Sequence, residues 1–296
     1  MLGKVSSALR IRENYDTLFC KCYAMTTRKE FLAASAAFAI SPLFAGGRAV
    51  KTPLMLDTKR MAIHDGPGIR TTFFVKGCPL KCVWCHNPES ISVRPQMARF
   101  KHLCRGCAKC TMDEATCPTR ALKFYGKPMS IGEIVAKAME DKAFYDESGG
   151  GVTLSGGEPL FFWEWAVELF KALKEKGLHT SLDTSLYASP AAIDALLPLT
   201  DMWLADYKAE DDALHQKYTG VSNRVIKKNL ERILSAGAKT EVRCLVVPGC
   251  TDGDDIVARH RYLNTIGIAE KSIVDLEYND YARSKYLALG IKDTMP

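Results

Sequence analysis

The 296 residues fit one large domain or two smaller ones, and an apolar share of 47% is enough to bury a sizeable core. The net charge of +6 is mild and reads as spread along the chain, with no concentrated Lys/Arg block, which argues against nucleic-acid binding. Seven of the eleven cysteines fall between Cys78 and Cys117, which excludes a secreted disulfide scaffold with its paired, spread-out cysteines. Clustered thiols point instead to metal or iron–sulfur ligation in a reducing, low-oxygen setting.

Residues 1–53 read as an N-terminal extension, signal-like or disordered. Within TTRKEFLAASAAFAISPLFAGG (26–47), Arg28-Lys29 precede an apolar run and then Ala45-Gly46-Gly47. This resembles a twin-arginine export signal with Lys in place of the second Arg. The run is about fifteen residues long and contains Pro42, short of the roughly 20 that span a bilayer, so no membrane insertion is expected. Export is disfavoured because the chemistry below needs cytosolic reagents, and the expected location is the cytoplasm. Cys20 and Cys22 lie in this extension and are read as uninvolved.

The first strand candidate is TTFFV (71–75). At its C-terminal end stands Cys78-x3-Cys82-x2-Cys85, and ligands of parallel α/β folds bind at such ends. A structural zinc needs four ligands, and His86, adjacent to Cys85, would have to reach back sharply to be the fourth. Three thiolates suit a [4Fe–4S] cluster with one iron open to a substrate or cofactor. Residues 91–128 then break the rhythm. They carry Cys104, Cys107, Cys110 and Cys117 without periodicity and read as an insertion folded around its own metal.

Ser130 and Glu133 form a capping box that opens a helix. The strand GVTLS (151–155) leads into Gly156-Gly157-Glu158-Pro159, where glycines allow close backbone approach and Glu158 can receive an ammonium group. A helix over 161–175 closes at Gly177. The strand HTSLD (179–183) ends in Asp183-Thr184, suited to ribose oxygens or a small cation. Ser189-Pro190 starts another helix. The strand MWLAD (202–206) ends in Asp206, with Lys208 two residues on and able to meet a carboxylate. A stripe of Ile226, Leu230, Ile233 and Leu234 stops at Gly237, followed by the strands EVRCLVV (241–247) and SIVDLEY (272–278). Strands this apolar are expected to be buried on both faces, and about six alternations argue for a parallel α/β sheet, open or curled into a partial barrel. Taken singly, GGEP reads equally as a turn, Asp183-Thr184 as a helix cap, and Asp206/Lys208 as a local ion pair. At consecutive strand ends beside a cysteine triad, they suit an amino acid joined to a nucleoside.

The motifs IHDGPGIRTTFFVKGCPLKCVWCHNPES (63–90), VTLSGGEP (152–159), DTS (183–185), DYK (206–208), YTGVSN (218–223) and VRCLVVPGCTD (242–252) resemble the radical S-adenosylmethionine enzymes. Within them they resemble the glycyl radical enzyme activating enzymes of the pyruvate formate-lyase activase type. The resemblance implies a partial (β/α)6 TIM-like barrel over 54–296, with a small ferredoxin-like Cys-rich insertion over 91–128. It implies a [4Fe–4S] cluster on Cys78, Cys82 and Cys85, with S-adenosylmethionine on its open iron. Trp84 and His86 would lie along the cofactor, and Gly156 and Gly157 near its amine. Glu158, Tyr207 and Asn279 complete the expected cofactor contacts, and Lys208 matches the carboxylate contact. Asp183, Thr184 and Asp206, with the Leu204 carbonyl, match positions that hold a monovalent cation. Where the family often reads L-P-Y-H, this chain reads Leu276-Glu277-Tyr278-Asn279.

CRGCAKCTMDEATCP (104–118) resembles half a bacterial ferredoxin motif with its last gap lengthened to six residues. It implies one auxiliary [4Fe–4S] cluster on Cys104, Cys107, Cys110 and Cys117, relaying electrons or docking a donor; zinc, or no metal, is the alternative. The implied activity is reductive cleavage of S-adenosylmethionine and hydrogen abstraction from a glycine of a partner glycyl radical enzyme, by a monomer served by a flavodoxin- or ferredoxin-type donor. The alternatives are a radical enzyme acting on a small molecule or RNA, and a non-catalytic iron–sulfur carrier. The DGPGIRT and NPES flanks weigh against the first. Asp183 and Lys208 weigh against the second, since a carrier needs no nucleoside site.

Overall fold

Each of the six apolar runs forms a strand, and all six are parallel. The structure, a computed structural model, describes residues 52–295. All but the last two residues of the N-terminal extension, with its signal-like run, therefore lie outside the described residues. The parallel strands are β2 (Arg70–Lys76), β5 (Gly151–Gly156), β6 (His179–Thr184), β7 (Met202–Asp206), β8 (Thr240–Val246) and β9 (Ile273–Glu277). A strand not expected from the sequence, β1 (Leu54–Ala62), pairs antiparallel with β2, so the sheet runs β1-β2-β5-β6-β7-β8-β9. The strand carries Asp57, Lys59 and Arg60 on a half-exposed edge, and that polarity hides it from a search for apolar runs.

Helices follow the strands on the outside, as parallel crossovers require. They are α1 (Ile131–Met139), α2 (Lys142–Ser148), α3 (Trp163–Glu175), α4 (Pro190–Leu196), α5 (Asp212–Thr219), α6 (Arg224–Ser235), α7 (Asp254–Thr265) and α8 (Arg283–Leu289). The Ser130–Glu133 capping box is present in both directions, and Ser189 accepts from the Ala192 amide at the start of α4. Trp165, Leu169, Phe170 and Leu173 of α3 join Phe73, Leu154, Leu182 and Trp203 of the sheet in one core.

The sheet curls. On β8, four strands away from β2 in the sheet, Arg243 sends Nη2 to the His64 carbonyl in the β1–β2 loop at 2.7 Å, and Nη1 lies 3.8 Å from Asp183 on β6. A flat sheet would hold these strands far apart, since neighbours sit about 4.8 Å from one another. The expected burial on both faces holds for β2, β5, β6 and β7 but fails at β9, whose last three residues are exposed. Strand β9 is the sheet's edge, and the helix after it, α8, packs through Ala288 and Leu289 on Ala98 and Tyr125 of the insertion instead.

Residues 91–128 contain an antiparallel pair, β3 (Gln96–Arg99) with β4 (Leu122–Tyr125). The four cysteines sit between the two strands in a segment without helix or strand.

Glycines set how closely the strand starts approach. The DGPGIRT loop lies on the Gly149–Gly151 run: a Cβ on Gly68 would meet the Gly150 amide at 2.5 Å, and one on Gly150 would meet the Ile69 carbonyl oxygen at 1.8 Å. Arg70 locks this end from inside, fully buried. It donates to Thr153 Oγ1 (2.6 Å) and to the carbonyls of Val152 (2.6 Å) and Pro67 (3.0 Å). Burial lowers the Arg70 guanidinium to about 10, still cationic at neutral pH.

Gly150→Ala is therefore expected to cost about 3 kcal/mol or more, because backbone must move to admit the methyl. Equilibrium denaturation measures it; a loss below about 1 kcal/mol would show that β2 and β5 tolerate separation.

Candidate functional site at the C-terminal ends of the strands

The cysteine loop leaves β2 at Gly77, where φ is +133° and a Cβ would meet Phe162 and Val93 at 2.8 Å. Two backbone bonds close its base, Gly77 N to the Ser90 carbonyl (2.7 Å) and Cys78 N to the Ile91 carbonyl (3.2 Å). Its tip crosses to the end of α5, where Lys81 N donates to the Thr219 carbonyl (2.8 Å) and Val83 N to the Tyr218 carbonyl (3.0 Å). The loop thus spans from the end of β2 to the segment after β7, over the C-terminal ends of the strands. Trp84 anchors it among Tyr218, Val247 and Cys250, its ring 5.7 Å from that of Tyr218.

Cys78, Cys82 and Cys85 are half-buried here. Burial pushes all three thiols up, Cys85 to about 12, so a cluster must displace their protons to bind. Cys244 is buried in the main core and Cys250 beside Trp84 in the cluster that anchors the loop, both as apolar fillers.

A constellation of charges lies below the loop. Asp183 accepts from Ser155 Oγ at 2.6 Å, and Lys208 Nζ lies 2.9 Å from Asp206. Burial and the nearby Asp206 carboxylate raise Asp183 to about 6. Burial alone would lower Lys208, but the Asp206 carboxylate bonded to it outweighs that and holds the ammonium above its ordinary range. Arg243 touches Asp183, and its Nε donates to Glu241 at 2.9 Å. Arg243 and Ser155 belong to this constellation without being singled out by the motifs that contain them. A charge in the middle of the apolar run EVRCLVV was the available signal, since an inward charge needs a partner.

Five expected site residues are placed differently. Glu158 does not present a free carboxylate: Leu160 N (3.0 Å) and Thr184 Oγ1 (2.6 Å) donate to Oε1, and Ser185 N (2.8 Å) and Oγ (2.5 Å) to Oε2. It is 1% exposed and ties the ends of β5 and β6 together. That same bond, with one accepted from Leu186 N (2.9 Å), commits the Thr184 hydroxyl, leaving Asp183 and Asp206 as the carboxylates of the cation expectation. Tyr207 turns into the core, stacked on Tyr262 at 5.5 Å with its hydroxyl donating to Glu210, because Asp206 and Lys208 take the other face. Asn279 is exposed and caps a turn by accepting from Tyr281 N; its neighbour Tyr278 packs on the Trp84 cluster instead. His86 is also exposed, its carbonyl taken by Lys285 at 3.0 Å.

Gly156 and Gly157 have a reason inside the protein. A Cβ on Gly156 would meet Val75 N at 2.4 Å, and one on Gly157 the Gly77 carbonyl at 2.2 Å. Without side chains here, the β5 end lies directly against the base of the cysteine loop.

The loop's exit is held by a residue that sequence reasoning missed. From α8, Lys285 Nζ donates to the His86 carbonyl (3.0 Å) and Asn87 Oδ1 (2.8 Å), and pairs with Glu89 Oε1 (2.9 Å). Glu89 is 3% exposed, and its carbonyl accepts from buried Lys76. A single lysine in a short C-terminal helix carries no sequence signal.

The residues fit an iron–sulfur cluster with a bound nucleoside amino acid. Three thiols stand on one anchored loop, a cation–carboxylate pair lies under them, and buried Trp84 Nε1 has no hydrogen-bond partner among the described residues. Among the described residues no three His, Cys, Asp or Glu side chains converge as ligands of a single ion. The hairpin cysteines Cys107 and Cys110 are exposed and Cys104 and Cys117 half-buried, with Arg99 donating to Cys104 Sγ at 3.1 Å.

Residues 72–260 match the Radical SAM superfamily. The chain is 36% identical to a (2S)-3-sulfopropanediol dehydratase activating enzyme from Klebsiella oxytoca, over 80% of this chain and 86% of that one. It is 34% identical to a benzylsuccinate synthase activating enzyme from Thauera aromatica, over 81% and 83%. It is 33% identical to a pyruvate formate-lyase 2-activating enzyme from Escherichia coli, over 80% of each.

Lys285→Met should leave Glu89 buried without its cation and cost about 2 to 4 kcal/mol. Adding Glu89→Gln should restore part of the loss, as read from anaerobic denaturation; equal losses in the single and double variants would show that the pair does not hold the loop.

Proposed function

The chain belongs to the Radical SAM superfamily, and we propose that it is an activating enzyme that converts a glycine of a partner glycyl radical enzyme to its Cα radical. The observation that carries this is the open triad: Cys78, Cys82 and Cys85 on one anchored loop, beside Lys208 and Asp206. When bound and reduced, a [4Fe–4S] cluster supplies the electron that cleaves S-adenosylmethionine to methionine and the 5′-deoxyadenosyl radical, which takes the glycine hydrogen.

The chain's own residues bind, orient and exclude water. Cys78, Cys82 and Cys85 would hold the cluster, and a set of three would leave it open to the cofactor. Lys208, kept cationic by Asp206, would face the cofactor's carboxylate. Trp84 Nε1 would offer a donor to its polar groups, the backbone at Gly156-Gly157 would lie near its amine, and His86 lies at the loop's exposed rim. Asp183 and Asp206 face the ribose or a monovalent cation. Arg243, against Asp183, keeps that carboxylate from standing unbalanced.

The auxiliary assignment is a second [4Fe–4S] cluster on Cys104, Cys107, Cys110 and Cys117 within the 91–128 insertion. Reducing power comes from a flavodoxin- or ferredoxin-type carrier, and the setting is a low-oxygen cytoplasm. No helix among the described residues is long and apolar enough to cross a membrane.

Anaerobic protein with dithionite and S-adenosylmethionine is expected to release 5′-deoxyadenosine, and Cys82→Ala to abolish it while Cys107→Ala retains it. Absence of the nucleoside from the wild type would sink the radical reading. A panel of 3-sulfopropanediol dehydratase, benzylsuccinate synthase and pyruvate formate-lyase, scored by glycyl radical electron paramagnetic resonance, then separates an activase from a radical enzyme with another substrate.

A further inference from the structure

The positive charge of the described residues is gathered in one place. Residues 91–128 carry eight Lys and Arg against two acidic residues, a net +6, whereas 52–90 and 129–295 together carry 24 against 29, a net −5. The charge that reads as mild over the whole chain is therefore a basic hairpin set on an acidic body.

These cations are available. Arg94, Lys101, Arg105, Lys109 and Arg120 are all exposed, and among the described residues none has an acidic partner. Lys123 and Lys127 are the two that do, with Asp57 and Glu114 at 3.2 Å each. Within the same segment Val93 (50%), Leu103 (42%) and Met112 (46%) expose apolar surface. Leu103 also lines a recess of about 570 Å³, with Phe100 and Leu122 as further apolar lining, Arg120 and Lys123 as cations, and Glu114, paired with Lys127, as its one acid. Apolar side chains among charged ones suit a transient protein interface.

Position adds to composition. Ser284 of α8 lines the recess, and the next residue, Lys285, grips the exit of the cysteine loop. A protein seated on the recess is thus separated from the triad loop by a single short helix.

We propose that the exposed basic face of the 91–128 hairpin, centred on Lys101, Arg105 and Lys109 and the recess beside Arg120, is the docking surface for an acidic one-electron carrier protein. The choice of an electron carrier rests on the radical function above; the choice of an acidic protein rests on charge alone. The carrier gives up one electron per encounter and leaves oxidised by one. A charge-steered, small interface suits such a partner, because it must arrive fast and leave between turnovers.

The test is direct binding of oxidised, strongly acidic flavodoxin to the whole anaerobically reconstituted protein, followed by calorimetry, so it does not depend on turnover. Lys101→Glu with Arg105→Glu and Lys109→Glu is expected to weaken binding by on the order of tenfold or more. Raising salt from about 0.05 to about 0.15 M should weaken the wild type and leave the variant nearly flat. Dithionite-driven 5′-deoxyadenosine release should be unchanged, and flavodoxin-driven release reduced. Should the triple variant lose iron, Arg94→Glu with Arg120→Glu, outside the cysteine run, asks the same question. Unchanged affinity in an iron-replete variant overturns the proposal. So does equal binding of a short double-stranded oligonucleotide or of anionic phosphatidylserine vesicles at about 0.15 M salt, which would mark a general polyanion surface. A wild type that binds flavodoxin but releases no 5′-deoxyadenosine with dithionite would refute the radical function and leave the docking surface standing.

Discussion

Three thiols can hold one cluster only if the loop that carries them cannot breathe, and most of the molecule is arranged around that constraint. A loop of this length would lose its geometry if fixed only at its ends, since each free residue retains about 1–2 kcal/mol of backbone entropy. Here the base is closed by Gly77–Ser90 and Cys78–Ile91, the tip by Lys81–Thr219 and Val83–Tyr218, and the exit by Lys285. The tip bonds are possible only because the sheet curls and brings the segment after β7 opposite the end of β2. The loop therefore depends on the barrel, and the barrel's mouth is bridged by the loop.

The same dependence explains why the glycines stand where they do. GGEP was legible as a place where something approaches the backbone, but that something includes the protein itself: Val75 and Gly77 occupy the space a Cβ would need. The next residue, Glu158, then turns inward to bond the end of β6. Sequence pattern reveals close approach and a carboxylate at a strand end. It does not reveal which side of the strand end the carboxylate takes, because that is set by Thr184 and Ser185, whose own hydroxyls need an acceptor once buried.

Strands and their order were readable because burial on both faces forces continuous apolar runs, and helix starts were readable where a capping box or Ser-Pro fixed them. What escaped has a common cause. Strand β1 is half-exposed and polar, α5 and α7 have weakly segregated faces, and α8 is short; none needs a periodic apolar pattern, since each is held by specific bonds or by packing on the insertion. The triad, Asp183, Asp206 and Lys208 were legible from their place at strand ends. Arg243, Lys285 and Tyr278 were not, because they come from a strand interior and from the polypeptide after β9 and meet the site only through curvature.

That curvature creates an electrostatic problem that the structure also answers. Curling the sheet gathers Asp183, Asp206 and Glu241 around a narrow interior, and like charges there would repel strongly at low effective dielectric. Lys208 and Arg243 are placed among them, one on Asp206 and one between Asp183 and Glu241. The residual imbalance shows in Asp183, which burial and Asp206 still raise. A ligand bringing positive charge close to these carboxylates, whether a sulfonium, an ammonium or a monovalent cation, would relieve that strain, while its carboxylate would meet Lys208. The interior is thus prepared for a zwitterion with an added positive charge. This complementarity is a property of the charge set as a whole and would not survive replacement of any single member by a neutral residue of the same size.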